Sequence, residues 1–122
     1  MAAGCSLALL LDQRARVKPV IASFFGRPAC CDRSAGVLLR RLGVPIVFGT
    51  AWREREPLSW TLRLGPVLHP EEVRGLAPES VAERVNRELE RIILREPEQV
   101  FWLHDRYRDA PARLAPSEPG PP

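Results

Sequence analysis

Apolar positions fall in blocks along this chain, and the blocks differ in period. Ser6 to Leu11 is almost uninterruptedly apolar and stops at Asp12. A run that short, with no polar side, predicts a strand buried on both faces, as in a parallel sheet. Asp12 to Pro19 is a polar, Arg-rich loop, and Val20 to Phe25 is a second short strand stopped by Gly26 and Pro28. From Asp32 to Leu42 the spacing becomes helical. Asp32 or Ser34 can cap its start, Val37, Leu38, Leu39 and Leu42 form its apolar side, and Gly43 can take the left-handed conformation that ends it. Val44 to Trp52 is mostly apolar and predicts a central strand, followed by a charged turn, Arg53 to Pro57. Leu58 to Leu64 alternates, with Leu58, Trp60, Leu62 and Leu64 on one side and Ser59, Thr61 and Arg63 on the other. That is the period of a half-exposed strand, paired with the one before it as a hairpin. Pro66 to Pro78 is a loop in which Glu71 and Glu72 can begin a short helical turn. Val81, Val85, Leu89, Ile92 and Ile93 recur at helical spacing across Glu79 to Arg95, Pro97 ends that helix, and Glu98 to His104 starts one more turn.

The order strand, strand, helix, strand, strand, helix is α/β, with a mixed sheet and flanking helices. It occupies residues 1–109, and the Pro-rich residues 110–122 form a tail expected to be disordered. The first apolar run sits almost at Met1, with nothing before it to cover a strand buried on both faces. The expectation is an incomplete domain that needs more chain or a partner.

Composition narrows the function classes. The chain has 122 residues, room for one domain. No apolar run approaches the ~20 residues of a membrane-spanning helix, and no basic residue precedes the first run as in a signal peptide. Cys5, Cys30 and Cys31 lack metal-ligand spacing and are read as free thiols. Net charge is +3, and Lys18 is the single lysine among 18 basic residues. Mild basicity suits anionic lipid headgroups or nucleic acid. Because Arg is interspersed with Glu along the chain rather than gathered in one stripe, a small nucleic-acid binder is the weaker reading.

The candidate chemistry is sparse. His104 and Asp109 form a literal His-x4-Asp, in which a carboxylate could orient an imidazole acting as general base. Ala110-Pro111 and the tail follow at once, so the reading prefers a structural or phosphate-facing His104 beside Arg106. His69 has Arg74, not a carboxylate, near the same spacing and reads as a loop residue. No serine lies in a Gly-x-Ser-x-Gly elbow, and no Gly-rich phosphate loop is present. Phe24-Phe25-Gly26-Arg27 combines an aromatic pair, a sharp turn and a guanidinium suited to phosphate. Asp12-Gln13 ends the first predicted strand, where α/β sheets bind ligands. Trp52, Trp60 and Trp102 are read as core residues in preference to membrane-interface anchors.

Three segments carry a resemblance: Leu10-Leu11-Asp12-Gln13, Phe24-Phe25-Gly26-Arg27-Pro28-Ala29, and Pro97-Glu98-Gln99 with Trp102-Leu103-His104. In this order, with Gly43-Val44-Pro45-Ile46-Val47 between them, the chain resembles the C-terminal half of the lipid A biosynthesis (late, lysophospholipid-type) acyltransferases, from about Gly4 to Pro111. The resemblance implies a glycerolipid-acyltransferase-like α/β fold, peripheral on the cytoplasmic face of the inner membrane. It implies transfer of a fatty acyl chain from an acyl-carrier-protein or coenzyme A thioester to a hydroxyl of a glycolipid or lysophospholipid, with no metal, no bound cofactor and no nucleic acid. The residues it offers for substrate binding are Asp12, Gln13, Phe25, Gly26, Arg27, His104 and Arg106. The family's catalytic His-x4-Asp/Glu is expected upstream of Met1, so this chain is expected to be inactive alone. The alternative of another class is a non-catalytic or split-half module that docks on a partner. Cys30-Cys31-Asp32, Asp105 and Asp109 depart from the family pattern, which weakens the phosphate contact expected of the C-terminal signature.

Overall fold

The computed structural model describes residue 4 and residues 6–114. Its elements run β1 (Val20–Phe24), β2 (Arg27–Cys31), α1 (Ser34–Leu42), β3 (Ile46–Arg53), β4 (Trp60–Leu68), a 3-10 turn (Pro70–Val73), α2 (Pro78–Ile93) and a second 3-10 turn (Pro97–Gln99). The α/β reading holds, but the strands form two separate antiparallel pairs, β1–β2 and β3–β4, instead of one mixed sheet.

The β1–β2 hairpin turns on two residues. Phe25 and Gly26 both have positive φ, +47° and +73°. That left-handed pair gives a tight two-residue turn the twist its strands require. Gly26 and Pro28, which read as strand stops in the sequence, are the second turn residue and a member of the return strand opposite Ser23. Pro28 fits there because a two-stranded ribbon leaves one edge of each strand without ladder bonds.

The Ser6–Leu11 strand is not formed: the segment has no regular structure, is mostly exposed, and only Leu11 packs partly against the core. Among the described residues no strand pairs with it, so its length of apolar chain has no ladder to join. Nor is β3 central. It pairs with β4 alone, and its burial alternates, with Phe48 and Trp52 inward and Val47, Gly49 and Ala51 outward. The β4 strand runs on to Leu68, through most of what the sequence reads as the start of a loop. Its alternation is real, but Leu58, Trp60, Leu62 and Leu64 are the exposed side. Of the three tryptophans only Trp52 is in the core; Trp60 and Trp102 are exposed.

α1 ends at Gly43, at φ +60°, as its position predicts. Its inward face is Ala35, Gly36 and Leu39, while Val37 and Leu38 are half-buried and Leu42 is exposed. Small residues win because α1 lies close on α2: a Cβ on Gly36 would sit 3.1 Å from Val81 Cγ1. α2 is the spine. Val81, Val85 and Ile92 join Leu39, Phe48, Trp52, Leu68 and Val73 in one cluster, and Ala82 and Ile93 join the β1–β2 hairpin in the other. Leu89 touches both. The segment after Gln99 is turns rather than helix, and residues 115–122 of the expected tail lie outside the described residues.

Candidate functional site

α2, the loop after Asp12 and the C-terminal segment 101–109 meet along the β1–β2 hairpin, from its turn to Cys31. Cys30 fastens two of them to the free edge of β2: its N–H donates to Arg106 O (3.1 Å) and its carbonyl accepts from Ala15 N–H (3.0 Å). Asp105 shapes the C-terminal segment by accepting from the N–H groups of Tyr107 (3.0 Å) and Arg108 (3.1 Å). This is the local turn an Asx side chain makes with its own following backbone.

Arg106 occupies the middle of the assembly and is only 4% exposed. Its guanidinium carbon lies 4.0 Å from the Phe24 ring centre. Its Nη2 donates to Asn86 Oδ1 at 3.3 Å and reaches Cys31 Sγ at 3.7 Å. Its Nε and Nη1 have no partner among the described residues. Burial pushes its pKa down, opposed by the charges of Cys31 and Asp12. Asn86, also buried, is the hub beneath it: Nδ2 donates to Ser23 O (2.6 Å) and Cys31 Sγ (3.2 Å).

Arg27, exposed on β2, lies over the Tyr107 ring at 4.1 Å, and the Tyr107 hydroxyl donates to Phe24 O at 3.3 Å. The strained Phe25 is held from two sides. Its N–H donates to Glu90 Oε1 at 2.7 Å, and its ring meets Phe24 edge-on at 4.8 Å and Trp102 at 6.0 Å.

His104 and Asp109 do not meet. His104 Nε2 accepts the Arg14 backbone N–H at 2.7 Å, while Asp109 pairs with the Arg14 guanidinium. Arg14 thus stands between them, and among the described residues no carboxylate orients the imidazole. The structural reading of His104 is the one the geometry carries. His69 caps the first 3-10 turn, donating its N–H to Glu72 Oε1 at 2.9 Å. Among the described residues no group of three or more His, Cys, Asp or Glu side chains converges as metal ligands would.

The structure therefore brings Phe25, Gly26, Arg27 and Arg106 together on the hairpin with Tyr107 and Asn86, and it places His104 against the Arg14 backbone instead. Asp12 and Gln13 sit exposed on a loop, not at a strand end, and Asp12 joins the site through its charge on Arg106. Sequence reading missed Arg14, Asn86, Glu90 and Tyr107. For Asn86 a signal existed: it interrupts an apolar stripe, Ala82, Asn86, Leu89 and Ile93, that otherwise faces the hairpin.

Compared with known proteins, residues 2–109 match the model of the family described as bacterial lipid A biosynthesis acyltransferase. Neither a curated protein nor a solved structure matches the chain.

Proposed function

The chain belongs to the bacterial lipid A biosynthesis acyltransferase family, and from that membership we propose that it serves acyl transfer from an acyl-carrier-protein or coenzyme A thioester to a hydroxyl of a phosphorylated glycolipid or lysophospholipid. In this reading the thioester itself is the activated donor, and neither a metal nor a resident cofactor takes part. The chain works peripherally at the cytoplasmic face of the inner membrane. Among the described residues no helix is long and apolar enough to cross a membrane.

One observation carries the assignment of the site: a buried guanidinium, Arg106, with two donors unpaired, lies over Phe24, and the exposed Arg27 lies over Tyr107 on the same hairpin. Guanidinium forks match phosphate oxygens in geometry and charge. Arg27 makes the first contact with an anionic headgroup, Tyr107 sets its direction, and Glu90 fixes the turn that presents it.

A second reading rests on a separate observation. No described histidine is hydrogen-bonded to a carboxylate by its side chain at the site, so the general base of acyl transfer is not assembled here. The chain then acts as the substrate-holding part beside a partner that brings the His–carboxylate pair.

The test is binding and turnover together. A phosphorylated glycolipid acceptor in detergent should bind the chain, and Arg27→Gln should weaken binding roughly tenfold, the scale of one charge-assisted contact. The chain by itself should give no acylated product with either thioester. Unchanged binding in Arg27→Gln sinks the site assignment, and turnover lost on His104→Ala would overturn the reading of His104.

A further inference from the structure

At the opposite end of β1 from the Phe25–Gly26 turn, a cavity of about 350 Å³ opens between α1 and α2. Its floor is apolar, made by Val20, Ala35, Gly36, Ala82 and Val85. Its rim carries Lys18, Arg33 and Arg40 against Asp32 and Glu79. Of the two acids one is engaged by its own chain, while Glu79, in the first turn of α2, forms no ion pair with a described residue. Asp32 Oδ1 is already engaged by the Ser34 N–H (2.6 Å) and hydroxyl, so this end of α1 is closed by the chain's own carboxylate. Arg40 is braced by bonds from Nε to Gly36 O (3.3 Å) and from Nη1 to Leu76 O (3.4 Å), and its Nη2 has no partner among the described residues. Lys18 and Arg33 form no ion pair with a described residue. Lys18 is also held at φ +45°, a left-handed backbone that a lysine rarely adopts.

We propose that this cavity binds a phosphate-bearing amphiphile: an anionic phosphate group held by Lys18, Arg33 and Arg40, and a slim apolar body lying on the floor between the two helices. The volume is at the small end of ligand pockets, which span roughly 300–1,000 Å³. It takes a single short chain or carrier arm and not a sugar-bearing lipid. The cavity is lined by residues other than Arg27 and Arg106, and the inference is argued from that lining; a carrier arm as its occupant would be that of the donor and would rest on the acyl-transfer reading.

The single lysine makes the test specific. Pyridoxal 5′-phosphate forms an imine with a primary amine, and borohydride reduction fixes it; peptide mapping then separates Lys18 from the terminal amine. Rates are compared with those of pyridoxal, each normalised to Nα-acetyl-lysine. The site predicts labelling of Lys18 at least about tenfold faster with the phosphate, slowed severalfold in Arg33→Gln and in Arg40→Gln, as the loss of one charge-assisted contact should give. Inorganic phosphate, phosphopantetheine and monomeric dihexanoyl phosphatidic acid are added as competitors. The apolar floor requires that one of the last two protect Lys18 at about tenfold lower concentration than inorganic phosphate. Whichever protects better identifies a carrier arm or a lipid as the source. Equal normalised rates for the two aldehydes, or no protection by any competitor, overturn the site. Protection by all three at the same concentration overturns its amphiphilic character.

Discussion

Glu88 and Arg106 are the buried charges among the described residues, and they are treated in opposite ways. Glu88 lies between Arg84 and Arg91, the latter donating at 2.9 and 3.1 Å. Arg106 faces an aromatic ring, an amide and a thiol, with no carboxylate in reach of its two free donors. An uncompensated buried charge costs stability, and apolar replacement of such groups is often neutral or favourable. Arg106→Met is therefore expected to leave stability unchanged or raise it by up to about 2 kcal/mol. Asn86→Ala, which orphans Ser23 O and loosens both strands of the hairpin, should cost about 2–3 kcal/mol. Urea midpoints at constant slope measure both, and a large loss in Arg106→Met would mean that its free donors find a partner in solution. The pH dependence has a definite sign. The Cys30 thiol is held above its ordinary 9.0, first by burial and then by Asp109 and Cys31. Tyr107 is held above its ordinary 10.0, again first by burial. Groups whose folded pKa is raised give their stability in full below the unfolded value and lose it as pH rises through the folded one. The urea midpoint should stay level through neutrality and fall from about pH 9 upward, with a shallower fall in Cys30→Ala. Arg106, whose pKa burial lowers, works in the opposite sense at alkaline pH, so the comparison with Cys30→Ala is the readout: an equal fall in both proteins contradicts the burial of the Cys30 thiol.

At the scale of elements, the turn Phe25–Gly26 shows both what sequence reveals and what it hides. An aromatic pair, a glycine and an arginine were legible as a sharp turn presenting a guanidinium. Its being a hairpin was not, because Pro28 and Gly26 both read as strand breakers and only the pairing of Val20 with Cys31 shows otherwise. A Cβ at Gly26 would meet nothing within 4 Å, so Gly26→Ala isolates the conformational cost of φ +73°. That cost is expected to be about 1–2 kcal/mol. D-alanine at the same position, introduced by peptide ligation, should cost nothing; equal losses for both enantiomers would refute the left-handed turn. α2 was the most legible element, since its apolar residues recur over four turns and its stripe needs no partner to be recognised. The Ser6–Leu11 run misled for the converse reason. A short apolar segment has no period of its own, and whether it becomes a strand depends on a neighbour that local sequence does not record.

The molecule is two hairpins joined through α2, and its least expected property is where the apolar residues of β4 point. Period two was visible in Leu58 to Leu64, but alternation says only that the two sides differ, not which one the core takes. The inward side is carried by Phe48, Trp52 and Leu68, and Leu62 and Leu64 remain 72% and 74% exposed beside Val47 and Ala51 of the paired strand. One edge of that pair is partly occupied: Gln99 takes the Arg53 N–H on Oε1 at 2.8 Å and donates Nε2 to Arg53 O at 3.2 Å, as a neighbouring strand would. An apolar sheet face beside an open strand edge favours association between molecules. Because the two leucines contribute little buried area, replacing both with lysine should alter stability by no more than about 1 kcal/mol. It should nevertheless shift sedimentation of the purified chain from concentration-dependent aggregates toward monomer, since charge on an exposed strand is what blocks edge and face pairing. The outcome that sinks this assignment is loss of cooperative unfolding in the double variant. That result would place Leu62 and Leu64 in a packed interior in solution, and the face they form would then belong to the core of a larger fold.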